Sequence, residues 1–233
     1  MSDIVIIGGS GGIGSALASA YARRGDHVVI TGRDGERTKS VADQVAAEAA
    51  AGSVRGVVAD LADPATLADA LSSIEHVDRL VLAAVDRDRN SVRDYDIGRA
   101  IALATTKLVG YTEAVHILAP RMSADASILL FGGVAKDHPY PGSTTVTSVN
   151  AAVVGMVATL AAELAPIRVN SLHPGLVGDS PYWQTQPAML AAGVQRTMTR
   201  RLVTTEDVVN AALFLLDSPA VNAVDLTLDG GYR

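Results

Sequence analysis

Short apolar runs alternate along the chain with longer stretches of helical periodicity. Residues 4–7, 28–30, 54–58, 80–84, 128–131, 168–172 and 225–228 read as strands. Several are apolar at successive positions, the pattern of parallel strands covered on both faces. Between them, Ile13, Leu17 and Ala20 mark one face of a helix over 13–24, with Arg23 and Arg24 in its last turn and Gly25 to close it. Asp63-Pro64 offers a cap followed by proline at a first helical position. The segment 145–164 is apolar on nearly all sides, so it must be covered on both. One face is expected to meet the sheet and the other a partner subunit. Strand and helix in alternation predict an α/β fold: a doubly wound parallel sheet of about seven strands flanked by helices, in a single domain over 1–233. The least regular stretches, 86–96, 136–145 and 178–203, should follow strand C-terminal ends, where such folds bind ligands. The last holds Trp183, the one tryptophan, and reads as a lid with its own short helix.

Composition narrows the function classes. The length of 233 residues suits one large domain. Nineteen basic against 25 acidic residues give a net charge of −6, which opposes nucleic-acid or anionic-membrane binding. Cysteine is absent, so disulfides, zinc–thiolate sites and a cysteine nucleophile are excluded. No histidine spacing suggests a metal site. The apolar run near the N-terminus spans only 4–7 and follows an acidic residue, unlike a signal peptide. No apolar stretch reads as the ~18 residues of a membrane span. The expectation is a cytoplasmic protein acting on a small molecule, with neither a nucleic acid nor a membrane as partner.

The strongest motif is GGSGGIG over 8–14, between the first strand and the first helix. A pyrophosphate needs backbone N–H groups at a helix N-terminus and no side chains in the way; glycine provides the turn and the clearance. Gly8, Ser10, Gly12, Ile13 and Gly14 are therefore the candidate phosphate cradle.

Here the chain resembles the short-chain dehydrogenase/reductase family. Gly8, Gly12 and Gly14 match its spaced glycines, Asp60-Leu61 its acidic residue near the adenine, RVNSLHPGLV over 168–177 its sixth strand and Pro-Gly turn, and LTLDGG over 226–231 its last strand and turn. The family's threonine before the glycines is Ile7 here. The resemblance covers nearly the whole chain and implies a Rossmann-like fold with a nicotinamide cofactor. By that match Asp60, Leu61, Ala83, Pro174, Gly175 and Val177 join the cofactor-binding set. Gly32 stands where NAD-dependent members carry a carboxylate, and Arg33 follows it, as in NADP-dependent members. Arg37 assists one turn later, and Asp34 is read as the cap of the next helix. NADP(H) is favoured over NAD(H).

The resemblance also exposes a gap. Family members protonate the forming alkoxide with a tyrosine tuned by a lysine four residues on. The match puts Val146 at the tyrosine, Asn150 at the lysine, Gly133 at the serine and Ala102 at the helix-four asparagine. The family's Asn-Asn-Ala-Gly reads Leu82-Ala83-Ala84-Val85. Asn150 can still hydrogen-bond a ribose hydroxyl, so it is counted with the cofactor residues, but an amide carries no charge to tune a phenol. Past the Pro-Gly turn, Asp179 stands at the carboxamide-holding threonine, with Ser180 as a substitute.

Replacement acids are sought in the loop after the fifth strand, which carries Lys136, His138 and Tyr140 and is stiffened by Pro139 and Pro141. Tyr140 or His138 is the candidate donor and Lys136 its tuner. Lys107 and Tyr111 form an i, i+4 pair, but at about 100° per residue they point some 140–180° away from position 102, and are expected to face elsewhere, such as a subunit interface. Among Asp86, Arg87, Asp88 and Arg89, an arginine is weighed as a ligand for an anionic substrate against a merely solvated loop. Tyr182, Trp183, Leu176 and Met189 suggest an apolar substrate pocket. Assembly is expected as a homodimer or homotetramer through 98–118 and 145–165. Three functions stay open: an NADP-dependent oxidoreductase with an atypical active site, an NADP-binding protein without turnover (a sensor or silent subunit), and a non-redox enzyme such as a dehydratase or cyclase.

Overall fold

A computed structural model describes residues 1–86 and 88–233. Seven parallel strands form one sheet: β1 (Asp3–Ile7), β2 (His27–Gly32), β3 (Val54–Val58), β4 (Val77–Leu82), β5 (Met122–Phe131), β6 (Arg168–Pro174) and β7 (Asp225–Leu228). Their order is β3-β2-β1-β4-β5-β6-β7. The chain steps from β1 to β2 on one side and returns to β4 on the other. That reversal opens a crevice at the C-terminal strand ends.

Alternate residues of the strands feed two cores. Val5, Ile7, Leu80, Leu82, Ile128 and Leu130 pack on one face of the sheet. Ile4, Ile6, Val28, Ile30, Val81 and Leu129 pack on the other. Each such side chain, fully buried, contributes roughly 1.5–3 kcal/mol, so the sheet needs both helical layers. The second face is covered by α1 (Gly12–Arg23), α2 (Gly35–Ala46) and α9 (Thr205–Asp217), which bring Leu17, Ala42 and Leu215. Asp34 caps α2, accepting from the Arg37 N–H at 3.0 Å.

The first face is covered by α5 (Tyr111–Leu118) and α6 (Thr144–Glu163), with the single-turn helix α3 (Leu67–Ala70) at its edge. Asp63 does not cap a helix at Pro64 as the sequence suggested. A 3₁₀ turn forms over Pro64–Thr66, and the Asp63 carbonyl, not its side chain, accepts from Thr66. Helix α6 also corrects the sequence reading on spans: by length and composition it is apolar enough to cross a membrane. Val153, Val157, Leu160 and Ala161 nevertheless face the sheet core, which makes it a core helix here. Ala151, Gly155 and Ala158 on its other side are exposed.

The helix expected over 98–118 is interrupted. Asp96 caps α4 (Ile97–Ala104), a π-helical segment follows over Thr105–Gly110, and α5 resumes at Tyr111. The segment 178–203 carries two short helices, α7 (Pro181–Gln184) and α8 (Pro187–Arg196).

Candidate functional site

A cleft of about 510 Å³ runs along the C-terminal strand ends, within the range of cofactor sites. The glycine loop forms one wall. Gly8 has φ +86° and lies so close to β4 that a Cβ there would sit 2.5 Å from the Ala84 nitrogen. Gly14 closes the loop onto itself: a Cβ would collide with the Gly8 carbonyl and lie 2.9 Å from Gly9 Cα. Only glycine permits this packing, and it leaves the N-terminus of α1 open to the cleft. Gly8, Ser10, Gly12, Ile13 and Gly14 all line it.

Beyond β2 the wall becomes basic. Arg33 and Arg37 both line the cleft. Arg37 Nε donates to the Ser10 carbonyl at 3.0 Å, which lays the guanidinium beside the loop. A Cβ at Gly32 would collide with Ser10 Oγ and Thr38 Oγ1, so a carboxylate at that position would force both to move. Arg33 meets Asp86 across the cleft, with contacts of 3.0 and 2.9 Å. Asp60 and Leu61 line the same end, and Asp60 Oδ1 accepts from the Ala62 N–H at 2.9 Å.

The other end lies over β4, β5 and β6. Ala83, Phe131, Gly132, Pro174, Gly175 and Val177 line it. Twelve of the thirteen cofactor residues expected from sequence thus share one cleft. Asn150 does not line it; its side chain is buried against Gly133. Asp179 is engaged elsewhere: its carboxylate accepts from the Thr205 N–H at 2.8 Å and from Thr205 Oγ1 at 2.9 Å, at the start of α9. Ser180 lines the cleft, with a buried hydroxyl that has no partner among the described residues.

Lys107 corrects the sequence reading. The π-helical segment changes the phase of the helix, so a count at 100° per residue fails past Ala104. Lys107 is 2 % exposed and lines the cleft floor beside Thr106, whose buried Oγ1 also lacks a partner among the described residues. Lys107 Nζ donates to the Tyr111 hydroxyl at 3.1 Å and to the Phe131 carbonyl. The Tyr111 hydroxyl donates in turn to the Ala84 carbonyl at 2.8 Å. Burial lowers the lysine pKa to about 7 and raises that of the tyrosine. Neither side chain faces a subunit interface.

Beneath the Gly132–Gly133 turn lies His173, fully buried. Its Nδ1 accepts from the Gly133 N–H at 3.2 Å, so the proton sits on Nε2, which meets Ser171 Oγ at 2.8 Å. The Ser171 hydroxyl donates to Asp225. Burial, reinforced by the charge on Lys136, pulls the His173 pKa down to about 4.

The loop after β5 does not line the cleft. Lys136 bonds Asp137 at 2.6 Å, and His138 sits 4.0 Å from Asp229 with its ring edge-on to Tyr232. Tyr140 is 51 % exposed. The loop does begin where the cleft ends, because Phe131, the last residue of β5, and Gly132, the first residue after it, both line the cleft. Trp183 reaches the cleft from α7, and Tyr182 stacks edge-on against it at 4.9 Å. Arg89 donates to the Tyr182 hydroxyl at 3.1 Å and to Gln186 at 3.2 Å, fastening the loop after β4 to this segment. Arg87 lies outside the described residues.

These features fit a dinucleotide: an open helix N-terminus amid collision-limited glycines, two guanidiniums at one end, and buried hydroxyls without partners at the other. Among the described residues, nothing stands at position 146 or 133 to donate a proton, since these are valine and glycine.

Comparison with known proteins agrees. A family model described as Enoyl-(Acyl carrier protein) reductase matches residues 8–233. The short-chain dehydrogenase/reductase ucsE of an Acremonium species is 26 % identical, over 98 % of this chain and 94 % of its own. D-threitol dehydrogenase of Mycolicibacterium smegmatis is 27 % identical, over 98 % and 91 %. The solved structure of a short chain dehydrogenase/reductase family protein superposes with a TM-score of 0.86 at 30 % identity, covering 99 % of this chain and 96 % of the other.

Proposed function

The chain belongs to the short-chain dehydrogenase/reductase family of oxidoreductases, and from that premise we propose that it transfers a hydride between NADP(H) and a small carbonyl or alcohol, using a proton donor of its own. The observation that carries the cofactor choice is the basic wall. Arg33 and Arg37 line the cleft beside Gly32, where no carboxylate stands and a side chain would have to displace the Ser10 and Thr38 hydroxyls. A 2′-phosphate beside two guanidiniums gains charge-assisted hydrogen bonds; an acidic residue there would repel it. When bound, the nicotinamide supplies or takes up the hydride.

The chain's own residues bind and orient. The glycine loop holds the pyrophosphate, and the Ser180 hydroxyl meets the carboxamide in place of Asp179, which is committed to Thr205. The proton comes from a group other than residue 146. His138 and Tyr140 are the donors proposed, with Lys136 beside them, because their loop grows out of the strand end that lines the cleft. Trp183 makes part of the substrate end apolar. The relative named for D-threitol supports a hydroxylated substrate class, as far as oxidation of an alcohol goes. Assembly as a homodimer or homotetramer through 98–118 and 145–165 is supported by the exposed Ile101 and Val109 and by the exposed small residues of α6.

The test is NADPH consumption against a panel of aldehydes and ketones, with Tyr140→Phe and His138→Gln alongside the natural protein. Turnover that falls at least about a hundredfold in one variant supports the assigned donor. Turnover unchanged in both removes it. Tight binding with no turnover on any substrate favours the second reading, a dinucleotide-binding protein, which Val146 and Gly133 at the tyrosine and serine positions already suggest.

A further inference from the structure

A lysine has three N–H donors and no acceptor. Two of those on Lys107 are taken, by the Tyr111 hydroxyl and the Phe131 carbonyl. The third has no acceptor among the described residues, on a side chain that lines the cleft. No carboxylate pairs with the ammonium among the described residues. Asp86, on the same cleft, is occupied by Arg33. Tyr111 is the titratable group in contact with it; Phe131 of β5 and Ala84 beyond β4 contribute only backbone carbonyls to the network.

Burying a lysine without a counter-charge costs stability, and a methionine would fill the same space at less expense. The arrangement therefore makes sense for a ligand rather than for the core. Thr106 adds a second polar group at the same spot, its Oγ1 buried and without a partner among the described residues. Both belong to a π-helical segment, a distortion found mostly at functional sites. The place also matters. Arg33 and Arg37 follow β2, whereas Lys107 is tied to the ends of β4 and β5, across the switch point from them. A dinucleotide laid along the cleft with its adenosine on the arginines brings its nicotinamide-side sugar over Lys107.

We propose that Lys107, together with Thr106, binds the sugar hydroxyls of the nicotinamide half of the dinucleotide, an inference that rests on the dinucleotide reading above. An ammonium enters this region from the fourth helical segment, while position 150 on α6 holds an uncharged amide packed on Gly133. Burial keeps the Lys107 pKa at about 7, so its donor capacity is full below neutrality and shared with the neutral amine above it.

The test is calorimetric titration with two probes: NADPH, and adenosine 2′,5′-bisphosphate, which carries the adenosine half alone. Lys107→Met is expected to weaken NADPH about tenfold or more and to leave the bisphosphate unchanged. Thr106→Val, which keeps the shape and removes the hydroxyl, is expected to do the same to a smaller degree. If both variants bind NADPH as the natural protein does, the inference is overturned. If Lys107→Met weakens both probes equally while Thr106→Val weakens neither, Lys107 is a strut of the cleft and the inference is again overturned. If the natural protein binds neither probe, the dinucleotide reading itself falls, and this inference with it.

Discussion

Arg33 and Asp86 face each other across the cleft in a two-point ion pair, at 3.0 and 2.9 Å. Both are partly solvated, so the pair is worth little to stability, but it sets the charge that a nucleotide meets. Arg33→Ala is expected to weaken NADPH about tenfold and NADH far less. Asp86→Asn frees the guanidinium and removes a carboxylate, and should tighten NADPH about two- to fivefold with NADH nearly unmoved. Parallel titrations of the two nucleotides read both effects; equal changes for NADPH and NADH refute the assignment.

Gly14→Ala forces a methyl group into the Gly8 carbonyl and against Gly9. Backbone stands on both sides, so no side chain can yield. The expected cost is about 1–3 kcal/mol of stability, seen as a lower melting temperature. Nucleotide binding should weaken as well, because the loop that cradles the phosphates is what moves.

Much of this architecture is legible in the chain. Parallel strands buried on both faces show as apolar runs, as β1 and the end of β5 do, whereas β3 carries Arg55 among exposed positions and β7 opens on an exposed Asp225. Strand β4 began earlier than its apolar run because Asp78 and Arg79 are polar for local reasons: Asp78 accepts from the Asp3 N–H, and Arg79 pairs with Asp217. The phosphate loop was legible because its glycines are dictated by collisions. Asp34 was legible as a cap. Lys107 was not, since nothing in Thr-Thr-Lys announces a π-helical segment, and without that phase change the residue counts onto the wrong face. The fate of Asp179 was hidden too, because Thr205 reaches it only after the chain has passed through 178–203.

His173 predicts a specific acid sensitivity. Folded, its pKa is about 4; unfolded, it returns to the ordinary 6.5. Above 6.5 both states are neutral and nothing is lost. As pH falls from 6.5 toward 4 the unfolded state takes up a proton that the folded state refuses, so stability declines through that window. The shift corresponds to on the order of 3 kcal/mol. Denaturant unfolding at pH 7 and pH 4.5 should differ by a large part of this, and His173→Asn should flatten the difference. An unchanged slope in the variant would assign the acid sensitivity to other groups.

Arg168 holds the end of α9 to the sheet. Its guanidinium donates to the carbonyls of Leu215, Leu216 and Val221, and the residue is 8 % exposed. Arg168→Met keeps the length and removes the donors. A loss of about 2–4 kcal/mol is expected in chemical denaturation, with nucleotide affinity preserved, since the residue lies at the far end of β6 from the cleft.

The most direct test of the account is a calorimetric titration of the purified protein with NADPH and, separately, NADH. The account predicts saturable binding of both, with NADPH tighter by about tenfold or more. Equal affinities would contradict the role given to Arg33 and Arg37. No binding of either nucleotide at millimolar concentration would contradict the dinucleotide site itself.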